Sequence, residues 1–596
     1  MNTALPLSVL AAGILLVACS PAEHEVALPM PENLLPDAID WRVSTHRDGD
    51  DLLSAGLGLD GLRSMAPPPF TDPAAPTADE LRRRAIWASW RGIADFSTPD
   101  GAGIGPDGLA AVPGREYQLL PVLPGRPQPH RVLVQVPDDF DAQGRCLVVT
   151  AASGSRGAWG ATALASAWGL PRGCAVAHTD KATGPAWVAL PDGRSPGLDG
   201  RIGSGDVAEF DTAAFAGDGH RVAVKHAHSG DNPEAVWGLH VRQAAEAGLR
   251  ALADAHPELA PFTFDNTRVI AVGVSNGGGA VLRAAELDGG WLDGVVAVSP
   301  NIWAGEGGRP LYDYATEAAL LMPCALLAPA FDDEPLARPG GLRPAPWAVR
   351  CSLLAEAGVL AGADTDARAD AAYQRLREGG WSDAALAAGA LSVGFDLWRS
   401  VAVTYASAYA RRGPDDMPCG YGFAVLDGEG RARAPTAAEQ AAWWSDASGI
   451  PPSAGVQITD ARAADAPAAD PALPGLGCLR GLWADGTVHG LHLREGVSVT
   501  RAALPAEGLP VLVIHGLDDG LIPEAMSARP WVDWTQAAGR PVTYWPLAGV
   551  QHFDAFLGLP GLGQRYRPLL PPALAGMDAM WRHVVDGEAL PGSPPG

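Results

Sequence analysis

A chain of 596 residues with 47% hydrophobic content can bury a large core, as several domains or as one large α/β domain with insertions. Its net charge is −25 and no basic run exceeds the three arginines at 82–84, which argues against nucleic acid and leaves a neutral or cationic partner. Arginine carries the positive charge and lysine is nearly absent, a bias that looks compositional and from which no function is read.

Residues 4–18 form an uncharged apolar run, short for a membrane span. It ends in Leu16-Val17-Ala18-Cys19, which resembles a bacterial lipoprotein signal, although no Lys or Arg precedes it. The expectation is an exported protein with residues 1–19 as signal and Cys19 as a candidate lipid anchor. The alternative is a secretory signal cut near Ala18 or Ser20. Beyond Cys19 six cysteines remain, an even number that fits up to three disulfides in an oxidising compartment. Cys324 with Cys351 and Cys419 with Cys478 are plausible pairs by proximity, though spacing does not settle connectivity. Cys146 and Cys174 sit in apolar strand-like runs and are candidates either for buried free thiols or for the third disulfide. No CxxC and no Cys/His cluster occurs, so no metal is expected.

Residues 20–75 are Pro-rich and read as irregular, a linker and surface-hugging arm. Thr77-Ala-Asp-Glu80 has the capping-box pattern and opens a helix to about Ile93, with Trp87 and Trp90 as packing residues on one face. Residues 116–122 and 131–137 read as a β-pair joined by a Gly/Pro turn. Residues 145–151 and 173–178 are apolar runs of the kind buried on both faces of a parallel sheet. A long helix is expected over 234–255, then a strand ending at Val274, and a further strand over 294–300. Strands alternating with helices predict a doubly wound, mostly parallel sheet. Residues 302–505 break the rhythm: 313–322 and 364–412 look helical, and 464–474 looks like a flexible surface segment. The alternation resumes at 509. The expected domains are therefore an N-terminal arm and helix (20–114), an α/β core in two parts (115–301 and 506–596), and an inserted, mainly helical cap (302–505).

The strand ending at Val274 runs into Gly273-Val-Ser275-Asn-Gly277 and then a helix-like stretch. Strand, G-x-S-x-G, helix is the context of a nucleophile elbow. The glycines are needed because strand and helix backbones nearly touch there, which forces the serine into a strained conformation with its hydroxyl projecting. A serine hydroxyl needs a neighbouring base, and in α/β-hydrolases the acid and then the histidine follow the serine in the chain. The run 511–514 ends in His515-Gly-Leu-Asp518-Asp519, whose last aspartate holds the position of the triad acid, with Asp518 as competitor. His552 follows the next strand, residues 541–545, and is the expected base; His515, at its strand end, reads as structural. The oxyanion donors are expected to be the N–H of Asn276 and those of the glycine-rich loop at Gly154 and Ser155. His178 is a candidate for lining the substrate pocket, and Arg156, next to the expected oxyanion loop, is a candidate for meeting a substrate carboxylate, with a surface arginine as the alternative. His226, His228 and His240 read as surface or packing residues. The nineteen tryptophans read mostly as core or cap packing.

Gly273-Val-Ser-Asn-Gly-Gly-Gly-Ala280, Ser153-Gly-Ser-Arg-Gly157, His178-Thr-Asp-Lys-Ala-Thr-Gly184 and Gln551-His-Phe-Asp-Ala-Phe556 together resemble the D-(−)-3-hydroxybutyrate oligomer hydrolases, over about residues 30 to 590. The resemblance implies hydrolysis of soluble 3-hydroxybutyrate oligomers to monomers, downstream of a poly(3-hydroxybutyrate) depolymerase, with Ser275 as nucleophile. Such ester hydrolysis requires no cofactor. Two other readings compete: a tannase or feruloyl esterase type of carboxylesterase, and a noncatalytic cell-envelope binding protein on a hydrolase scaffold.

Overall fold

The computed structural model describes residues 33–98, 109–203, 208–212, 219–446, 448–484 and 486–595. The apolar run 4–18 and Cys19 lie outside them. In chain order the strands are β1 (Arg42–His46), β2 (Gly114–Leu119), β3 (Val132–Pro137), β4 (Cys146–Ala151), β5 (Ala175–Thr179), β6 (Trp187–Leu190) and β7 (Arg221–Val224). There follow β8 (Arg268–Val274), β9 (Gly294–Val298), β10 (Tyr421–Leu426), β11 (Ala432–Arg433), β12 (Val456–Asp460), β13 (Val511–Gly516) and β14 (Val542–Leu547).

Nine of these strands form one sheet in the order β1-β2-β3-β5-β4-β8-β9-β13-β14. Pairing is antiparallel from β1 to β5 and parallel from β5 to β14. Successive side chains alternate between the faces. Leu147 and Val149 of β4 pack with the helices Trp237–Ala255 and Asn276–Ala284. Val148, with Val272 of β8 and Ile514 of β13, packs against the helices Ala78–Arg91 and Leu570–Asp586. Both faces of the central strands are covered, which is why their sequences are continuous apolar runs rather than alternating ones. This is the α/β-hydrolase architecture: a mostly parallel, doubly wound sheet carrying a large, mainly helical insertion.

The insertion leaves the sheet after β9 and returns at β13. Its helices include Leu311–Ala325, Thr365–Glu378, Asp383–Gly394 and Leu397–Tyr409. It also carries a small antiparallel sheet, β11-β10-β12, for which the sequence offered no clear period. The β6–β7 hairpin joins it from outside the expected boundaries. Trp187, Val222 and Val224 of that hairpin share one apolar cluster with Leu320, Tyr405 and Phe423 of the insertion. The cap is thus assembled from two excursions of the chain.

One open alternative is settled and two expectations change. Cys146 and Cys174 are not free thiols but a disulfide, beside Cys324–Cys351 and Cys419–Cys478. The cause is register: Leu147 of β4 pairs with Ala175 of β5, so the residues preceding each lie side by side. The N-terminal arm is not irregular throughout. It supplies edge strand β1 to the sheet, and Leu52 and Leu53 are fully buried. The segment 464–474 is anchored rather than loose: Arg350 is paired with Asp470 through both carboxylate oxygens, and a helix starts at Leu473. The capping box at Thr77 and Glu80 forms as its spacing predicts.

Candidate active site

Four connections leave the same, C-terminal edge of the parallel strands, where doubly wound sheets place their ligands. They are the loop after β4 (Ser153 to Arg156), the elbow after β8 (Ser275), the turn after β13 (Asp518, Asp519) and the loop after β14 (His552). The elbow is tight. A Cβ on Gly273 would overlap the Gly277 backbone, and one on Gly277 would overlap the Ala151 carbonyl. Ser275 itself sits at φ 60°, ψ −124°, a region costly for any residue with a side chain. Its backbone is pinned on both sides: the Ser275 N–H donates to Val298 O at 2.9 Å, and the Asn301 N–H donates to Ser275 O at 3.0 Å.

Three distant side chains meet here. His552 Nε2 lies 3.1 Å from Ser275 Oγ, and His552 Nδ1 lies 2.7 Å from Asp519 Oδ2. With Nδ1–H donating to the carboxylate, Nε2 is left to accept the serine proton. Asp519 is fully buried, and its other oxygen accepts the N–H of Leu521 at 2.9 Å and of Ile522 at 2.7 Å. Burial alone would raise this carboxyl, but His552 and these backbone donors outweigh it and hold the group below the usual carboxylate range. Asp518 faces elsewhere: the Gly549 N–H meets its half-buried carboxyl, which burial raises, and it makes no bond to His552. His515 donates from Nε2 to Ile522 O at 2.9 Å and so braces the Asp519 turn without touching Ser275.

Ser275 and His552 open onto a cavity that Gly154, Ser155, Arg156 and Asn276 also line. Most of its remaining wall is aliphatic, including Leu164, Leu397, Val401, Ile450 and Ile522, and no tryptophan is among the lining residues. Leu397, Val401 and Tyr405 come from one cap helix, so the insertion roofs the site. The Asn276 N–H is the first of its helix and has no intrahelical acceptor. The Ser155 N–H meets no acceptor among the described residues. Two donors are thus free beside the nucleophile.

His178 departs from expectation. It is fully buried, with Nε2 at 3.0 Å from Ser166 Oγ and 3.2 Å from Gln135 Oε1, and it is not among the lining residues. It stands inside β5 rather than past its end, so its side chain enters the layer beneath the sheet. Burial pushes its imidazole down to about 4. His226, read from sequence as surface or packing, is instead in contact with the site: Nδ1 lies 2.6 Å from Ser155 Oγ.

Residues that sequence reasoning passed over hold the site from behind. Lys181 is buried and donates from Nζ to Gly154 O at 2.6 Å and to Thr183 Oγ1 at 3.0 Å. A peptide's C=O and N–H point in opposite directions, so this bond also fixes the direction of the Ser155 N–H. Burial pushes the Lys181 amine down to about 7. On the other side Tyr405 accepts the Asn276 side-chain amide at 2.6 Å, and its ring stands edge-on to His226 at 4.7 Å. The missed signal was scarcity. The chain holds only two lysines, Lys181 and Lys225, and both are fully buried beside one another's loop, Lys225 pairing with Asp180 at 2.9 Å. Among the described residues no group of three or more His, Cys, Asp or Glu side chains could hold a metal ion.

The sequence profile of the family described as 3HB-oligomer hydrolase matches residues 15–594 of this chain. A protein of Paracidovorax citrulli named D-(−)-3-hydroxybutyrate oligomer hydrolase is 37% identical over 614 aligned residues, covering 91% of this chain and 86% of the relative. One of the same name from Paraburkholderia xenovorans is 35% identical, covering 91% and 84%. Among solved structures, feruloyl esterase B from Aspergillus oryzae aligns with TM-score 0.37 at 12% identity, covering 81% of this chain and 83% of that one. Tannin acyl hydrolase from Aspergillus niger aligns with TM-score 0.36 at 13% identity, covering 81% and 80%.

Proposed function

Because this chain belongs to the 3HB-oligomer hydrolase family, and so is a carboxylic ester hydrolase, we propose that it cleaves soluble D-3-hydroxybutyrate oligomers to monomers through an acyl-enzyme on Ser275. The observation that carries this reading is the contact chain Ser275, His552, Asp519 opening onto an apolar-walled cavity. Ser275 Oγ attacks the ester carbonyl as His552 Nε2 takes its proton, with Asp519 holding the imidazolium in place. The carbonyl oxygen becomes an oxyanion that the Asn276 and Ser155 N–H groups receive, Gly154 shaping the loop at φ 53°. His552 then returns the proton to the departing alcohol. Water, activated by the same imidazole, attacks the acyl-enzyme and releases the second product with Ser275 restored. The three disulfides support an exported protein, and a substrate of this size and solubility places the reaction after depolymerisation of the polyester.

A substrate panel tests the assignment. Purified protein is expected to release monomer from the 3-hydroxybutyrate trimer with a kcat/KM at least about 100-fold above that on feruloyl or galloyl esters, a gap of the size that a fitted pocket supplies. Preference for the aromatic esters would overturn the substrate assignment. Failure to react with a fluorophosphonate probe would overturn the catalytic reading altogether.

The same mechanism gives Lys181 a positioning role with a separable signature. Lys181→Met frees the Gly154–Ser155 peptide and is expected to lower kcat about 100-fold, as loss of one oxyanion donor does, with KM nearly unchanged. Stability should move the other way. Between pH 7 and the ordinary lysine range the unfolded chain holds a proton that the folded chain has shed, so wild-type stability gains from this group as pH rises. Lys181→Met should flatten that part of the thermal-midpoint profile, and a parallel loss of kcat and stability at all pH values would refute the role.

A further inference from the structure

Arg156 has no counter-charge among the described residues. Among the described residues its guanidinium makes one hydrogen bond, from Nη2 to Gly92 O at 3.2 Å, and no carboxylate lies within ion-pair distance. Nearly every other arginine near the core is paired: Arg82 with Glu116, Arg131 with Glu209, Arg350 with Asp470. Arg156 is also held close, since a Cβ on Gly92 would overlap its terminal nitrogens and one on Gly160 would crowd its Cβ. Withdrawn from water with nothing to offset the cost, the guanidinium is pushed down to about 10. It lines the cavity onto which Ser275 opens, and it is the one arginine or lysine that does so among the described residues. The cavity's one carboxyl, Asp554, is already taken: its oxygens accept the N–H groups of Leu569 and Leu570 at 2.7 to 2.9 Å.

A half-buried, unpaired guanidinium in an apolar cavity is costly unless a ligand brings the missing anion. Resting on the proposed function above, we infer that Arg156 binds the terminal carboxylate of the oligoester and selects short acids over neutral esters. The substrate chemistry fits this. A 3-hydroxybutyrate oligomer is a run of neutral ester units with a single carboxylate at one end. The planar guanidinium offers a bidentate fork to that group, and its attraction is strengthened where water is excluded. The interior of a long polyester chain has no carboxylate to offer, so the same contact discriminates against it. Arg156 directly follows Ser155 in the chain, so the anion subsite and the expected oxyanion donor share one loop.

The test compares the trimer as free acid with the trimer capped as its terminal primary amide, which is neutral and leaves the same ester bonds. Wild-type protein is expected to favour the acid by about 100-fold in kcat/KM, the worth of a charge-assisted pair. Arg156→Met should remove that preference by losing the acid while keeping the amide within about threefold, and Arg156→Lys should restore only part of it. Equal turnover of acid and amide by the wild type would overturn the inference without any variant needing to fold. So would an Arg156→Met protein that loses both substrates alike. Absence of turnover on either trimer would remove the proposed function, and this inference with it.

Discussion

Ser275→Ala is expected to lower kcat on the 3-hydroxybutyrate trimer by about 10⁶-fold, with KM little changed. In the proposed mechanism Ser275 Oγ is the atom that bonds to the acyl group, and the substitution removes it. The backbone has no reason to relax. Alanine pays the same penalty at φ 60°, and the bonds from Ser275 N–H to Val298 O and from Asn301 N–H to Ser275 O involve no side chain. Thermal midpoints should therefore agree with the wild type. His552→Ala should cost about as much, and the double variant no more than either, because serine and histidine act as one unit. Additive losses in the double variant, or turnover above about one part in 10³ in Ser275→Ala, would refute the acyl-enzyme route. Loss of fluorophosphonate labelling supplies a second reading on the same variant.

Asp519→Asn is expected to lower kcat by about 10⁴-fold while the fold persists. The amide is the same size, so the packing around this fully buried side chain is kept. Its oxygen can still accept the N–H groups of Leu521 and Ile522. Its NH2 would then face His552 Nδ1 as a donor, so the imidazole would carry its proton on Nε2 and offer no acceptor to Ser275. The imidazolium formed during attack would also lose the adjacent negative charge. Asp518→Asn should keep activity within about threefold, since that side chain makes no bond to His552 and lies outside the machinery. If Asp518→Asn were the damaging substitution and Asp519→Asn the mild one, the turn after β13 would have been read one residue out of place.

The two variants probe different links of one arrangement. Ser275 depends on a backbone turn that local glycines permit. Asp519 depends on burial, which makes its charge expensive and its three partners necessary: His552 and the two N–H groups that follow in its own turn. His515 adds a brace from the same strand end. A carboxylate in such a setting orients an imidazole better than one free to rotate in water.

Features whose cause is local were legible in the sequence. The elbow needed only its glycines and the apolar run before it; the capping box at Thr77 needed only a spacing of three; the continuous apolar runs of β4, β8 and β13 announced strands buried on both faces. Motif spacing also named Ser275, Asp519 and His552, whose side chains the fold brings within 3.1 Å and 2.7 Å of one another. What the sequence could not disclose depends on which segments become neighbours. Cys146 and Cys174 are bonded because β4 and β5 lie adjacent and in register, a property of neither run alone. His178 falls behind the sheet because β5 extends one residue past it. The β6–β7 hairpin enters the cap because its aromatic and β-branched side chains find the insertion's apolar surface, not because of where it lies in the chain. Lys181 beneath the Gly154 carbonyl and Arg156 without a counter-ion among the described residues are likewise facts of surroundings. Local propensity and hydrophobic period are written residue by residue, whereas burial and charge pairing are decided only when distant segments pack and exclude water.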